Sequence, residues 1–215
     1  CSSLNNSFSL FAIFLSYSAI FFSASVFFLF SLSISFILLL NVEDDFVGSM
    51  AYYTNDYPDL VNSPEEFVYY VPTNDIQTTY YDRDYANGYE SDLILDPSAW
   101  DNSSYYMVFM CGDDKIVHIQ TDCDNDRRLV IFKDSYGNAL VPCLTSSFSE
   151  IYVCDMRYFN LNAIDFIQEE AKATDVLFCM NLFSANGPNG QDLEVVRTQN
   201  AAYDTSSWED ADTEF

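Results

Sequence analysis

Three unbroken apolar runs, Leu129–Phe132, Ile151–Cys154 and Val176–Met180, constrain this chain's fold more than any other feature. Short runs without alternation suit strands covered on both faces, as parallel strands are in an α/β sheet. Between the second and third runs, Asn160 is a good N-cap for a helix in which Leu161, Ile164, Ile167 and Ala171 recur at helical spacing. Between the first and second, Gly137 to Ser147 predicts a shorter helix, with Pro142 tolerated near its first turn or kinking it. Strand, helix, strand, helix, strand is the pattern of a doubly wound α/β sheet with right-handed crossovers.

The preceding stretch has a different rhythm. Phe67–Val71 and Ile76–Tyr81 are rich in β-branched and aromatic residues and flank Pro72-Thr73-Asn74-Asp75, which predicts two strands joined by a turn. Pro97-Ser98 starts a short helical turn near Trp100. Tyr105–Met110 and Lys115–Thr121 predict a second antiparallel pair around Cys111-Gly112-Asp113-Asp114.

Residues 1–40 carry no charge, glycine or proline and consist almost wholly of serine, phenylalanine, leucine and isoleucine. Read literally, residues 10–30 are long enough to span a membrane. No basic residue precedes the run, and Glu43, Asp44 and Asp45 follow it, so orientation is weakly specified. A signal peptide fits less well, because the basic start and a cleavage site are missing. The four residue types share thymine-rich codons, so a T-rich stretch read in an unintended frame is the other reading; with a start at Cys1, it makes the chain a fragment. The expected organisation is an apolar segment over 1–40, an α/β domain over 45–190 and an acidic tail over 191–215.

The 33 acidic and 8 basic residues leave a net charge of −25, which excludes nucleic acid as a partner because phosphate would be repelled. About 175 residues remain beyond the apolar segment, enough for one domain with a real core. The six cysteines show no paired spacing, and buried free thiols are the default.

The first apolar run stops at Lys133-Asp134-Ser135. A serine at the carboxyl end of a parallel strand, just before a helix, sits where open α/β sheets place ligands and nucleophiles. Serine also occupies such a turn simply as a helix cap. The ends of the other two strands would bring Asp155, Arg157 and Asn181 to the same edge, with Asn138 in support. A nucleophilic serine needs a base and oxyanion donors, and Asn181 or backbone N–H groups near Tyr136 could supply the latter. Asp155 and Arg157 read either as a structural ion pair or as a substrate clamp.

The segments IFKDSYGNALVPCL, EIYVCDMRYF and DVLFCMN resemble the C-terminal half of the bacterial DHHW proteins, relatives of the SGNH hydrolases and of alginate O-acetyltransferase-like envelope enzymes. The resemblance runs from about Asp45 to Asn189 and is most specific from Leu129 to Asn181. It implies a partial SGNH-like doubly wound parallel sheet, preceded by an antiparallel strand region and the apolar segment. It also implies an extracytoplasmic envelope protein, membrane-anchored if residues 10–30 are a genuine span, forming an acyl-serine at Ser135, then hydrolysing it or passing it to a surface glycan. Asp134-Ser135 matches the nucleophile block, with Lys133 where those hydrolases carry glycine, and Asn181 matches the oxyanion asparagine.

The Asp-His-His-Trp motif that names the family lies upstream of the serine in its members and is not found in this chain. The expectation is therefore a nucleophile without its base, an impaired enzyme or a non-catalytic envelope domain. His118, the chain's single histidine, is either a substitute base or a strand histidine alternating with apolar neighbours. Asp122-Cys123-Asp124-Asn125-Asp126 opens like a calcium loop, but Arg127 replaces the glycine and Lys133 the closing glutamate. No metal or cofactor is expected.

Overall fold

The computed structural model describes residues 10–15 and 38–186. Its main feature is a mixed seven-stranded sheet in the order β1-β9-β7-β8-β6-β4-β5. The strands are β1 (Leu10–Leu15), β4 (Ile76–Tyr81), β5 (Tyr89–Glu90), β6 (Ile116–Thr121), β7 (Arg128–Lys133), β8 (Glu150–Asp155) and β9 (Asp175–Asn181). Neighbours from β1 to β8 are parallel, and those from β8 to β5 are antiparallel. A separate two-stranded sheet joins β2 (Leu38–Phe46) to β3 (Glu65–Pro72).

The three apolar runs form β7, β8 and β9, and burial on both faces explains why they do not alternate. On one face Leu129, Ile131, Ile151, Val153, Leu177 and Cys179 pack against Val141 from the first crossover. On the other, Val130, Phe132, Tyr152, Cys154 and Met180 pack against Ala163, Phe166 and Ile167 from the second. Each fully buried aliphatic or aromatic side chain contributes about 1.5–3 kcal/mol, so these layers hold the carboxyl ends of the strands in place.

The crossovers are shorter than their periodicity predicts. The first is a 3-10 turn, Ser135–Leu140, followed by a single α-turn, Val141–Leu144, with Pro142 in the first turn. The second starts two residues later than expected: Asn162 is the N-cap, its Oδ1 accepting from the N–H groups of Ile164 and Asp165. A π-turn over Phe166–Glu170 then widens the helix, burying Ala163, Phe166, Ile167 and Ala171 while Ile164 is left 39% exposed.

Two expected strand pairings do not form. The strands Phe67–Val71 and Ile76–Tyr81 exist, but β3 pairs with β2 and β4 with β6 and β5. The intervening Asn74 is tied to residues distant in sequence, donating to the Thr145 carbonyl at 3.2 Å and to Asp122 at 3.3 Å. Phe67 and Tyr69 instead pack with Val108 and Phe109 in a satellite core. The stretch Tyr105–Met110 is a 3-10 turn over Tyr105–Val108, and Phe109 makes only an isolated bridge to Ile94. Met110, Cys111 and Gly112 all have positive φ, which breaks an extended run.

The membrane-helix reading is corrected where it can be seen: Leu10–Leu15 is an edge strand parallel to β9. Among the described residues no helix is long and apolar enough to cross a membrane. The remainder of the apolar segment up to residue 37, and the acidic tail, lie outside the described residues.

Candidate active site

β7 ends by delivering Asp134 and Ser135 to the carboxyl edge of the sheet, where Asp134 organises the turn. Its Oδ1 accepts from the Tyr136 N–H at 3.0 Å, capping the 3-10 segment. Its Oδ2 accepts from the backbone N–H of Asn181 at 2.8 Å and from Asn181 Nδ2 at 2.6 Å. Asn181 Oδ1 in turn accepts from the Ser184 N–H at 2.9 Å. One carboxylate thus locks the end of β7 to the end of β9.

Two further contacts fix the turn. The Tyr106 hydroxyl donates to the Ser135 carbonyl at 2.8 Å and accepts from the Ala139 N–H at 3.3 Å. Burial pushes the Tyr106 hydroxyl up to about 12, so it remains a donor at neutral pH. Gly137 lies so close to β7 and β9 that an added Cβ would stand 2.7 Å from Lys133 Cβ and 3.3 Å from the Cys179 carbonyl. Ser135 is half-buried, and its hydroxyl makes no hydrogen bond to another described residue.

Below the turn lies a charge network. Lys133, 3% exposed, places Nζ 2.7 Å from Asp113 Oδ1 and 3.7 Å from Asp155 Oδ2. Arg157 donates to both oxygens of Asp155 at 2.9 and 2.8 Å and to Asp113 Oδ2 at 2.9 Å. Burial alone would raise the Asp113 carboxyl, but Lys133, Asn138 and Arg157 outweigh it and hold it below its ordinary value. The Asp155 contact keeps the Arg157 guanidinium charged beyond its ordinary range. Asn138 Nδ2 donates to Asp113 Oδ1 at 3.0 Å, while its own Oδ1 is buried with no partner among the described residues.

The structure therefore brings Asp134, Ser135, Asn138, Asp155, Arg157 and Asn181 to one edge and leaves His118 away from it. His118 is level with Tyr152, and Tyr152 with Val130, five positions before Ser135 on β7. That is roughly 16 Å along the strand, with two strand spacings across the sheet in addition. The imidazole stacks on Tyr152 with ring centres 4.2 Å apart, and its Nε2 lies 3.1 Å from Glu150 Oε2. Burial outweighs Glu150 and lowers its pKa.

The Tyr136 N–H, expected as an oxyanion donor, is already taken by Asp134, whereas Asn181 Nδ2 has a second hydrogen left. Among the described residues no group of three or more potential ligands could hold a metal ion; in the Asp122–Asp126 loop Asn125 Oδ1 accepts from the Arg127 N–H instead.

Asp113 and Tyr106 escaped the sequence reading. The signal for Asp113 was Lys133 itself, since a lysine ending a buried strand requires a carboxylate partner. Tyr106 carries no comparable local signal.

No curated protein matches the chain. Among solved structures, a DHHW family protein from Eubacterium siraeum is 43% identical, with a TM-score of 0.67 over 74% of this chain and 52% of that one. Bacillus cereus PatB1 shares the fold at 22% identity and a TM-score of 0.51, over 68% of this chain and 50% of its own. PatB1 with a sulfonyl adduct matches similarly, at 20% identity and a TM-score of 0.52, over 68% of this chain and 47% of that one. The chain thus spans about half the length of these relatives. The DHHW protein model matches residues 17–154, from within the apolar segment to the end of β8, and the chain belongs to the DHHW family.

Proposed function

We propose that this chain carries the nucleophile half of an SGNH-like acyl-transfer site, in an envelope protein whose acyl acceptor is water or a surface glycan hydroxyl. The supporting observation is the clamp of Asp134 on Asn181, which presents Ser135 at the carboxyl end of β7. In the reaction Ser135 Oγ would attack an ester carbonyl, the leaving alkoxide would take up the proton that the serine gives up, and the acyl-serine would pass its acyl group to water or a second hydroxyl, whose proton returns to Ser135 Oγ. The free hydrogen of Asn181 Nδ2 is the oxyanion donor in this reading. Asp155 and Arg157, joined by one backbone and two side-chain hydrogen bonds, are read as support for the turn through Asp113.

The crossovers on opposite faces support reading β7, β8 and β9 as a partial SGNH-like doubly wound sheet. An extracytoplasmic location belongs to the same proposal, as does the absence of a nucleic-acid partner.

A second reading, a non-catalytic envelope domain, is favoured by one observation: no titratable base contacts the Ser135 hydroxyl among the described residues. Reaction with a fluorophosphonate probe, with and without added imidazole as a surrogate base, separates the two. The catalytic reading predicts labelling that imidazole accelerates and Ser135→Ala abolishes. Labelling no faster than that of Ser135→Ala under either condition favours the binding domain.

A further inference from the structure

The carboxyl edge of the sheet continues past Asp155 into a groove of about 470 Å³, lined by Tyr81, Arg83, Asn87, Tyr89, Lys115 and Asn160 together with three aspartates. It adjoins the charge network below Ser135. Asp113 binds Lys133 and Arg157, while the next two residues, Asp114 and Lys115, line the groove. Arg83 and Arg157 approach the same Tyr158 ring, at 4.6 and 5.3 Å from its centre.

The groove wall is built in advance. Asp82 accepts from the N–H groups of Asp84 and Ala86 and from Asn87 Nδ2, folding the loop on itself. Gly88 lets that loop lie against Tyr81, where a Cβ would be 2.6 Å from the ring. Tyr89 stacks one face on Tyr80 at 5.5 Å and is 50% exposed, so its outer face is an open aromatic platform. Asn160 Nδ2 holds Asp84 at 3.3 Å, and Lys115 pairs with Asp114 at 2.9 Å. Arg83 is exposed and pairs with no carboxylate among the described residues.

An aromatic face beside alternating donors and acceptors matches the chemistry of a sugar ring, which offers an apolar CH face and hydroxyls that both donate and accept. The charge pattern narrows the class. Three carboxylates face two cations in the groove, and the whole chain carries −25, so an anionic saccharide gains no net attraction.

We propose that this groove binds a neutral saccharide, one ring stacked on the outer face of Tyr89 and its hydroxyls shared by Arg83, Lys115 and Asp84. The inference deepens the reading of Ser135 as an acyl-transfer nucleophile and rests on it: the groove would hold the acceptor glycan along the edge that leads to the serine.

Calorimetric titration and saturation-transfer NMR of the 215-residue chain with cellotriose, maltotriose and trigalacturonate test it. At least one neutral trisaccharide should bind, and trigalacturonate should bind about tenfold more weakly or not at all. Tyr89→Ala should weaken the neutral ligand about tenfold and Arg83→Met about fivefold, both side chains being exposed enough to replace without unfolding. Binding of neither neutral ligand, binding unchanged in Tyr89→Ala, or tighter binding of trigalacturonate would overturn the proposal. Ser135→Ala should bind as the parent chain does, so a serine that resists acylation beside a groove that still takes the neutral sugar defeats the catalytic reading alone.

Discussion

Asp134 and Asn181 are joined by two hydrogen bonds to a single carboxylate oxygen, one from the backbone N–H at 2.8 Å and one from the side-chain amide at 2.6 Å. Because Asp134 also caps the turn that begins at Ser135, the ends of β7 and β9 move as one unit. Hydrogen bonds to a charged acceptor contribute about 1.5–3 kcal/mol each, so Asp134→Ala, which loses three, should cost at least about 4 kcal/mol and Asn181→Ala, which loses one of them, about 1.5–3 kcal/mol. Urea denaturation of both variants and of the double variant should give a coupling of at least about 1 kcal/mol. Strict additivity would show that the clamp is not formed in solution.

Gly137 is needed for space rather than for an unusual φ. Gly137→Ala forces a Cβ to within 2.7 Å of Lys133 Cβ, with the Cys179 carbonyl 3.3 Å away. Overpacking of this kind costs about 1–3 kcal/mol and should displace the Ser135 turn. The expected outcome is a lower urea midpoint together with slower probe labelling; unchanged values for both would contradict this packing.

Lys133 offsets one buried and one partly buried carboxylate, with Nζ at 3.7 Å from Asp155 and 2.7 Å from Asp113. Lys133→Met keeps the volume but leaves the acids to Arg157 alone, and breaking a buried pair from one side costs about 3–5 kcal/mol. Adding Asp113→Asn to Lys133→Met should restore part of that loss, which chemical denaturation of the three proteins will show.

His118 and Asp113 both make stability fall on acidification. His118 is lowered from its ordinary 6.5, burial outweighing Glu150, so the unfolded chain binds this proton first on acidification. Its contribution is complete above about pH 6.5 and is lost as pH falls through the folded value. Asp113 is held below its ordinary 3.8 because its cationic partners and Asn138 outweigh burial; its contribution is complete above about pH 4 and is lost on further acidification. Urea midpoints followed from pH 8 downward should decline in both windows. His118→Gln should flatten the upper decline, and Asp113→Asn should reduce the lower one, to which Asp82, Asp96, Asp101 and Asp175, also held below their ordinary values by hydrogen bonds, contribute as well; an upper decline that persists in His118→Gln would refute the assignment.

The sheet core was legible because continuous burial leaves a continuous apolar run, as in Leu129–Phe132 and Ile151–Cys154. The serine turn was legible for the same reason, since the run ends where the sheet ends. What the residues did not disclose was pairing. Phe67–Val71 and Ile76–Tyr81 have strand composition, but which edge each joins depends on anchors distant in sequence, Asn74 on Thr145 and Phe67 on Phe109. Helix phase was misjudged because apolar spacing assumes 3.6 residues per turn, whereas Phe166–Glu170 is a wider π-turn. His118 looked available as a base because alternation gives its face but not its height along the sheet, and height separates it from Ser135.

The most direct test of the central claim is to incubate the chain with p-nitrophenyl acetate and imidazole, quench in acid and map the acetyl group by peptide mass spectrometry. The account predicts acetylation concentrated on Ser135, absent in Ser135→Ala and reduced at least about tenfold in Asp134→Ala. Acetyl groups spread over surface lysines and tyrosines, with Ser135 unmodified, would contradict it.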